Sequence, residues 1–314
     1  MPSLPPDPLA SGIAGYARRL RQGEITAQAA TEAYLERIAA LDPKLGAYQH
    51  LAAEPALAQA RALDRRRAAG DDQGPLMGVP VAIKDIFAVD GMPTTAGSRL
   101  DVADLIGPEG PFVDLLRRAG CVFLGKLKTV EFALGAVGIS EPLGTPWNPW
   151  DAAVQRIPGG SSSGPAVAVA AGLCGFAIGS DTGGSVRLPA AFCGVFGHKT
   201  TVGLWPTAGV FPLSSVLDSI GPLTRSAADA ALLFQALTGQ EVAPASPERL
   251  RLGRPTSYFF ERLEPAVASC TERALEALRA AGARIEPIDL PEAAARERYF
   301  PVALPAELIA TLGR

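Results

Sequence analysis

Serine- and glycine-rich segments at the two ends of one apolar run carry the side chains of this sequence best suited to chemistry. Residues 159–163 read GGSSS, and residues 183–185 read GGS. Glycine allows backbone geometries that other residues resist, so each pair of glycines can present a serine on a tight turn. Between them, residues 165–171 favour a helix and residues 174–178 a short buried strand. A rigid core unit with a serine at each end indicates an active site.

A lysine at the end of a predicted strand is the second candidate. Residues 79–83 include Val79, Val81 and Ile83, which predict a buried strand, and Lys84 follows directly. Lysine can lose its proton when it is removed from water, and it can then serve as a base. The alternative is that Lys84 reaches solvent and pairs with Asp85.

The sequence also matches the GxSxG motif of esterases, but the residues around that match do not fit the motif's structural requirements. Residues 160–164 match GxSxG, with Ser162 as the nucleophile. That motif needs a strand before the serine and a histidine well after it. Residues 154–158 make a poor strand, and the only histidine that follows is His198.

Nucleotide-binding and β-lactamase patterns are not supported. Residues 120–126 match the phosphate-binding loop G-x-x-x-x-G-K, yet Leu127 stands where a magnesium-binding Ser or Thr is required. The sequence contains no GxGxxG, and no serine is followed by lysine at the third position. What remains is a serine nucleophile activated by a lysine distant in sequence.

Composition restricts the partners. The 314 residues are 48% hydrophobic with a net charge of −3, so a large core is expected and no electrostatic footprint for nucleic acid is present. The N-terminus lacks signal-peptide features, and the longest apolar run, residues 166–178, is shorter than the roughly 20 residues that span a bilayer. We expect a cytoplasmic protein that acts on a small molecule, without direct contact to nucleic acid or membrane.

Cysteine and histidine are too sparse and scattered for a metal site. The four cysteines form no CxxC pair, and His50 and His198 are the only imidazoles. Three of the cysteines lie in apolar surroundings, which is typical of reduced, buried thiols. We therefore expect no metal.

Hydrophobic periodicity predicts a series of helices and short strands. Two helices are expected within residues 13–41, with Thr26 capping the second, and a further helix is expected to be capped by Ser226. The other predicted elements are helices at 52–69, 111–119, 227–237 and 264–280 and a strand at 122–124, while 202–222 reads as turns rich in Gly and Pro. This alternation predicts an α/β fold with one domain over residues 1–314 and a loose segment at 1–10.

Several of these motifs occur together in one known family. Residues 78–85 (GVPVAIKD), the 159–163 loop and residues 179–194 (GSDTGGSVRLPAAFCG) resemble the amidase signature family. Shorter matches are TTAGS at 94–98, NPW at 148–150 and LDSIGPL at 217–223. The resemblance extends from about Gly12 to the end, and it implies a central mixed β-sheet covered on both faces by helices.

The resemblance implies a Ser–cis-Ser–Lys triad and no cofactor. Ser185 would be the nucleophile that forms the acyl-enzyme. Ser161, on a cis peptide after Gly160, would pass the proton between Ser185 and Lys84. Lys84 would be the general base and would later help to protonate the leaving amine.

The glycine turn before Ser185 would form the oxyanion hole. Its donors would be the backbone N–H groups of Thr182, Gly183, Gly184 and Ser185, where small residues allow close approach. Asp181 and Arg187 are expected to brace this loop and not to react.

The sequence also departs from the family pattern. Ser163 and Pro165 alter the loop beside Ser161, and GHKTT at 197–201 replaces the more common GLKPT. Family members usually continue well past the point where this sequence stops. We therefore expect either a fragment or a shortened form whose pocket is open or completed in an oligomer, such as a homodimer.

The expected function is hydrolysis of a carboxylic amide to an acid and ammonia or an amine. One alternative is the glutaminase component of a tRNA-dependent amidotransferase, although Leu188 stands where that relative usually has glutamine. Allophanate- or biuret-type hydrolysis and an inactive truncated fragment are the others. The aromatic residues that could wall a pocket, or belong to the core, are Phe87, Phe112, Phe132 and Trp205.

Overall fold

A computed structural model describes residues 4–313, which divide into two compact units. Residues 241–305 form the smaller unit, and the rest of the described chain forms the larger one. All of the candidate catalytic residues lie in the larger unit. A single domain over residues 1–314 remains a prediction.

A six-stranded mixed sheet is the centre of the larger unit. Its order is β1-β3-β2-β4-β6-β5; β2 is parallel to β3 and β4, and the other neighbouring pairs are antiparallel. The strands are β1 (Tyr48–Leu51), β2 (Pro80–Lys84), β3 (Val122–Leu127), β4 (Phe176–Asp181), β5 (Phe196–Gly197) and β6 (Ser219–Thr224).

The sheet is covered on both faces, as the family resemblance implied. Every residue of β2, β3, β4 and β6 is buried. Because successive side chains of a strand point to opposite faces, a strand buried along its whole length must be covered on both. The helices of this unit are α1 (Gly12–Arg21), α2 (Ala27–Leu45), α3 (Ala53–Ala68), α4 (Ala103–Ile106), α5 (Pro111–Arg118), α6 (Ser163–Ala170), α7 (Arg187–Cys193) and α8 (Ala227–Thr238).

The smaller unit contains a β-α-β arrangement. Strands β7 (Arg251–Pro255) and β8 (Arg284–Ile288) pair in parallel, and α9 (Pro265–Ala280) lies between them in the chain. A last helix, α10 (Arg296–Leu312), follows β8. The predicted helix at 264–280 is confirmed.

The predicted helices of the larger unit are confirmed within a few residues, and side-chain caps mark the start of α2 and α8. The Thr26 hydroxyl accepts the Ala29 N–H at the start of α2, and Gly46 ends that helix at a φ of 60°. Ser226 likewise accepts the Asp229 N–H at the start of α8, which Gly239 ends at a φ of 71°. Positive φ angles of this kind favour glycine.

Two segments differ from the sequence predictions. The 202–222 stretch was expected to be turns, but its end enters strand β6, because pairing with β4 and β5 satisfies its backbone despite Gly221 and Pro222. The N-terminus was expected to be loose through residue 10. Residues 1–3 lie outside the described residues, whereas Leu9 is buried and Asp7 pairs with Arg225.

Replacing Ser226 by alanine should lower the free energy of unfolding by about 1 kcal/mol, because the α8 N-terminus loses the hydroxyl that accepts the Asp229 N–H. Ser11 is the matched control: it is the N-cap of α1 but makes no capping hydrogen bond. Ser11→Ala should change the stability by less than about 0.5 kcal/mol. Urea unfolding of both variants compares the two values, and equal losses would contradict the capping role of Ser226.

Neither a membrane-spanning helix nor a metal-binding cluster occurs within residues 4–313. No helix there is long and apolar enough to cross a membrane. No group of three or more His, Cys, Asp or Glu residues is arranged to hold a metal ion in that range. Cys121, Cys174 and Cys193 are buried free thiols, whereas Cys270 is exposed.

Candidate active site

Lys84 ends β2 with its amine enclosed among hydroxyl groups. The side chain is fully buried, and Nζ lies 2.7 Å from Ser161 Oγ and 2.9 Å from Ser180 Oγ. Burial lowers the pKa of Lys84 to about 7, although the negative charges of Asp218 and Asp181 oppose this shift. Near neutral pH, a large fraction of this amine is therefore unprotonated and able to accept a proton.

The alternative pairing of Lys84 with Asp85 is wrong. Asp85 Oδ1 instead lies 2.9 Å from Nζ of Lys126, and both side chains are buried. Lys126 also donates to Thr94 Oγ1 at 2.6 Å, while the other Asp85 oxygen accepts the backbone N–H and hydroxyl of Thr95. The charge of Asp85 is thus neutralised by Lys126, and Lys84 faces the serines.

Ser161 is fixed by the backbone of its loop. The Gly160–Ser161 peptide bond is cis, as the family resemblance implied. The Ser161 carbonyl accepts the Val130 N–H at 3.2 Å and the Thr129 hydroxyl at 3.1 Å, and Gly160 N–H donates to Ala136 O at 2.8 Å. These contacts leave the Ser161 hydroxyl directed at Lys84.

Ser162 does not have the surroundings of an esterase nucleophile. It is fully buried, and its hydroxyl donates to the Ser180 carbonyl at 3.3 Å. No strand directly precedes it, since residues 151–160 are described without strand structure. The His198 ring packs against Phe234, with ring centroids 5.9 Å apart.

Ser185 lies on the loop between β4 and α7, beside Ser161. The Ser162 N–H donates to the Ser185 carbonyl at 3.2 Å, which ties the two serine loops together. Ser185 retains 9% of its surface, whereas Ser161 has none. Within residues 4–313, no hydrogen bond joins the Ser185 hydroxyl to Ser161 or Lys84. Its hydroxyl is therefore available to a group approaching from solvent.

Asp181 organises the part of this loop on either side of Ser185. Its buried carboxylate accepts the N–H groups of Gly184 and Val186 at 2.8 and 3.1 Å and binds the Arg187 guanidinium in a bidentate ion pair. Burial alone would raise the pKa of Asp181, but Arg187 and the backbone donors outweigh it and hold this pKa below its ordinary value. The geometry fits the expected bracing role of both residues.

The oxyanion prediction needs a correction at Gly184. Its N–H is directed at Asp181, so it is not free to bind a developing oxyanion. In the part of the chain that the structure describes, the N–H groups of Thr182, Gly183 and Ser185 make no hydrogen bond. These three remain the candidate donors.

The other end of the loop is held by a residue that sequence reasoning did not assign. The Thr182 hydroxyl donates to Asp218 Oδ1, and Asp218 Oδ2 accepts the N–H groups of Leu213 and Ser214 at 2.9 and 3.1 Å. Burial raises the pKa of Asp218, while these donors oppose the shift. The sequence signal for Asp218 was its place in the LDSIGPL segment at 217–223, which resembles the family but carried no assigned role.

Ser180 and Lys126 were also missed as members of this centre. Ser180 is a lone hydroxyl in the otherwise apolar and acidic β4. It lies beyond the strand predicted at 174–178, and its sequence signal was its place in the 179–194 segment that resembles the family, where it had no assigned role. Lys126 was considered only for a phosphate loop. Its pairing with Asp85 depends on the β2–β3 register, in which Lys126 is opposite Ile83.

The aromatic candidates for a pocket wall belong mainly to the core. Phe87, Phe112 and Trp205 are buried, and the Phe112 ring lies 6.3 Å from Phe87 and 4.9 Å from Trp205, centroid to centroid. Phe132 is half-buried and stacks on Phe211 at 5.5 Å.

A family model described as Amidase matches residues 29–314. The chain belongs to the amidase family. Among solved structures, the protein is similar to one described as the crystal structure of an amidase, with 35% identity and a TM-score of 0.88 over 96% of this chain and 69% of that one.

Two curated relatives show how this amidase chain compares in length. It is 41% identical to 2-amino-5-chloromuconic acid deaminase of Comamonas testosteroni, over 89% of this chain and 62% of that protein. It is 42% identical to the glutamyl-tRNA(Gln) amidotransferase A-type subunit of Chloroflexus aurantiacus, over 94% of this chain and 63% of that protein. The chain thus spans less than two thirds of the length of these relatives.

Proposed function

We propose that this protein is an amidohydrolase that cleaves a linear carboxylic amide through an acyl-enzyme on Ser185. The observation that carries the proposal is the fully buried Lys84 amine, with its pKa lowered to about 7, at 2.7 Å from the Ser161 hydroxyl. A lysine in this state can act as a base at neutral pH, which an exposed lysine cannot do.

Acylation begins with the attack of Ser185 Oγ on the amide carbonyl carbon. The Ser185 proton passes to Ser161 Oγ as the Ser161 proton passes to the neutral Lys84 amine. The tetrahedral intermediate collapses when the C–N bond breaks, and the proton held by Lys84 returns through Ser161 to the leaving nitrogen. Ammonia or an amine departs, and an ester to Ser185 remains.

Deacylation uses the same groups in reverse. Water attacks the Ser185 ester, and its proton moves to Lys84 through Ser161. The C–O bond then breaks, and Ser185 recovers a proton by the same route. The products are a carboxylic acid and the resting enzyme, without a metal or cofactor in either step.

The developing oxyanion needs donors that are already in place. The unpaired N–H groups of Thr182, Gly183 and Ser185 supply them, and the glycine allows the carbonyl oxygen to approach the backbone closely. As further parts of the proposal, the substrate is a small amide and the compartment is the cytoplasm. An open pocket and a pocket completed in a homodimer remain the two alternatives for a shortened form.

The test is the intact mass of the protein after exposure to a small fluorophosphonate. We expect one adduct on the wild type and none on Ser185→Ala, because phosphonylation needs the same nucleophile, base and oxyanion donors as acylation. Melting followed by circular dichroism checks that the variant keeps its fold.

Ser11→Ala serves as the matched control, because Ser11 is exposed and precedes α1 as its N-cap, outside the serine loops. It should label like the wild type. An adduct that persists on Ser185→Ala would assign the nucleophile elsewhere, and a folded wild type that takes no label would favour the inactive-fragment alternative. Allophanate and biuret belong in the substrate panel that follows a positive result.

The glutaminase component of a tRNA-dependent amidotransferase is the second candidate, favoured by the similarity to the glutamyl-tRNA(Gln) amidotransferase protein of Chloroflexus aurantiacus. The residue after Arg187 argues against it. Leu188 packs on Gly184 of the nucleophile loop and offers an apolar side chain where an amide group would be expected to select glutamine. Release of ammonia from free glutamine, together with copurification of two partner proteins, would revive this candidate.

A further inference from the structure

We propose that Asp218 is a positioning residue for catalysis, which acts by fixing Thr182 so that the Thr182 N–H points at the developing oxyanion. The inference rests on the proposed function, because it assigns a task within that reaction. It goes beyond the triad and the glycine turn by linking the LDSIGPL segment to the oxyanion loop.

The oxyanion loop begins where the sheet ends. Strand β4 ends at Asp181, and the antiparallel ladder to β6 ends at the pair Asp181–Ser219. Thr182 and Asp218 are therefore the first residues beyond the ladder on the two neighbouring strands. Sheet hydrogen bonds no longer fix the Thr182 backbone, yet its N–H is one of the three unpaired donors.

A side-chain contact takes the place of the ladder at Thr182. The Thr182 hydroxyl donates to Asp218 Oδ1, and Thr182 is 8% exposed. Threonine is restricted at χ1 because it is branched at Cβ, so fixing its hydroxyl also fixes the orientation of the attached backbone. The Thr182–Asp218 contact thereby restricts rotation of the Thr182 N–H.

Asp218 is itself held in place. Its second oxygen accepts the N–H groups of Leu213 and Ser214, and the neighbouring Ser219 hydroxyl donates to Asp181 O at 2.8 Å. Asp181 holds the opposite end of the loop through Gly184 and Val186. Two carboxylates thus hold the loop, and among the described residues the N–H groups of Thr182, Gly183 and Ser185 are left for substrate.

The test compares rates of Ser185 phosphonylation by the fluorophosphonate in Thr182 variants. Loss of a whole oxyanion donor slows catalysis about 10²- to 10³-fold. Loosening one donor without removing it should slow the reaction less than this, so we expect the Ser185 phosphonylation rate of Thr182→Val to fall about 10-fold or more. Thr182→Ala, which also lacks the hydroxyl and introduces no bulk, should show the same loss. Thr182→Ser keeps the hydroxyl and should recover most of the rate.

Thr200→Val is the matched control for a purely structural effect. The Thr200 hydroxyl is also buried and donates to a strand β6 carbonyl, that of Ile220 at 2.7 Å. Its loss should lower the melting temperature without slowing the labelling of folded protein. Wild-type rates in folded Thr182→Val or Thr182→Ala would overturn this inference alone. Absence of a Ser185 adduct on the wild type would overturn it together with the proposed function.

Discussion

Lys84→Met should slow acylation of Ser185 by about 10²- to 10⁴-fold, the range expected for loss of a general base. Lys84→Arg should be nearly as slow. Arginine keeps a positive charge at all accessible pH values, so it cannot take the Ser161 proton. The measurement is the rate constant of fluorophosphonate labelling, with circular dichroism to check the fold. A folded Lys84→Arg protein that labels at the wild-type rate would disprove the role of Lys84 as the base.

The pH dependence of the same rate provides an independent check. The pKa of Lys84 is lowered to about 7, and only the unprotonated amine is active. The labelling rate should therefore be constant above about pH 8 and should fall about tenfold per pH unit below about pH 6. Lys84→Met should lose this profile. Lys44→Met is the matched control, because Lys44 is exposed and interacts with Ala152 O and the Trp147 ring, and it should retain both rate and profile.

Lys126→Met should lower the free energy of unfolding by about 3–5 kcal/mol, because it leaves the charge of Asp85 buried without its partner. This is the largest stability effect that we expect from a single substitution. Urea unfolding measures it. The double variant Asp85→Asn/Lys126→Met removes both charges and should recover a large part of the loss.

An exposed ion pair serves as the control for this prediction. Arg21 Nε lies 2.6 Å from Asp72 Oδ2, but both side chains are nearly half exposed. Because solvent screens such pairs, Arg21→Met should cost less than about 1 kcal/mol. If Lys126→Met lowered the free energy of unfolding no more than Arg21→Met does, the interpretation of the Asp85–Lys126 pair as an essential buried pair would be wrong.

Local sequence patterns were sufficient for the helices, whereas the assignment of the three triad residues came from the family resemblance. Caps such as Thr26 and Ser226 act within a few residues of their position, so their effect can be read from the chain itself. The motif around Ser185 is equally local. The cis peptide before Ser161 came from the family resemblance and not from periodicity.

What the sequence did not predict depends on which strands become neighbours. β6 contains Gly221 and Pro222 and resembles a turn until β4 and β5 are placed on either side of it. The partner of Asp85 likewise follows from the β2–β3 register, not from the adjacent Lys84. The direction of the Gly184 N–H toward Asp181 is a matter of loop geometry that composition cannot reveal.

The strand order also has a consequence for biosynthesis. In the sheet, β4 lies between β2 and β6, whereas in the chain many residues separate it from each of them. While a ribosome is still adding residues 182–218, β4 can pair with β2, but its other edge stays bare. Unpaired strand edges can pair with other chains, so a nascent chain is most prone to aggregation during this interval. Completion of β6 closes that edge and, in the same step, brings Asp218 to Thr182.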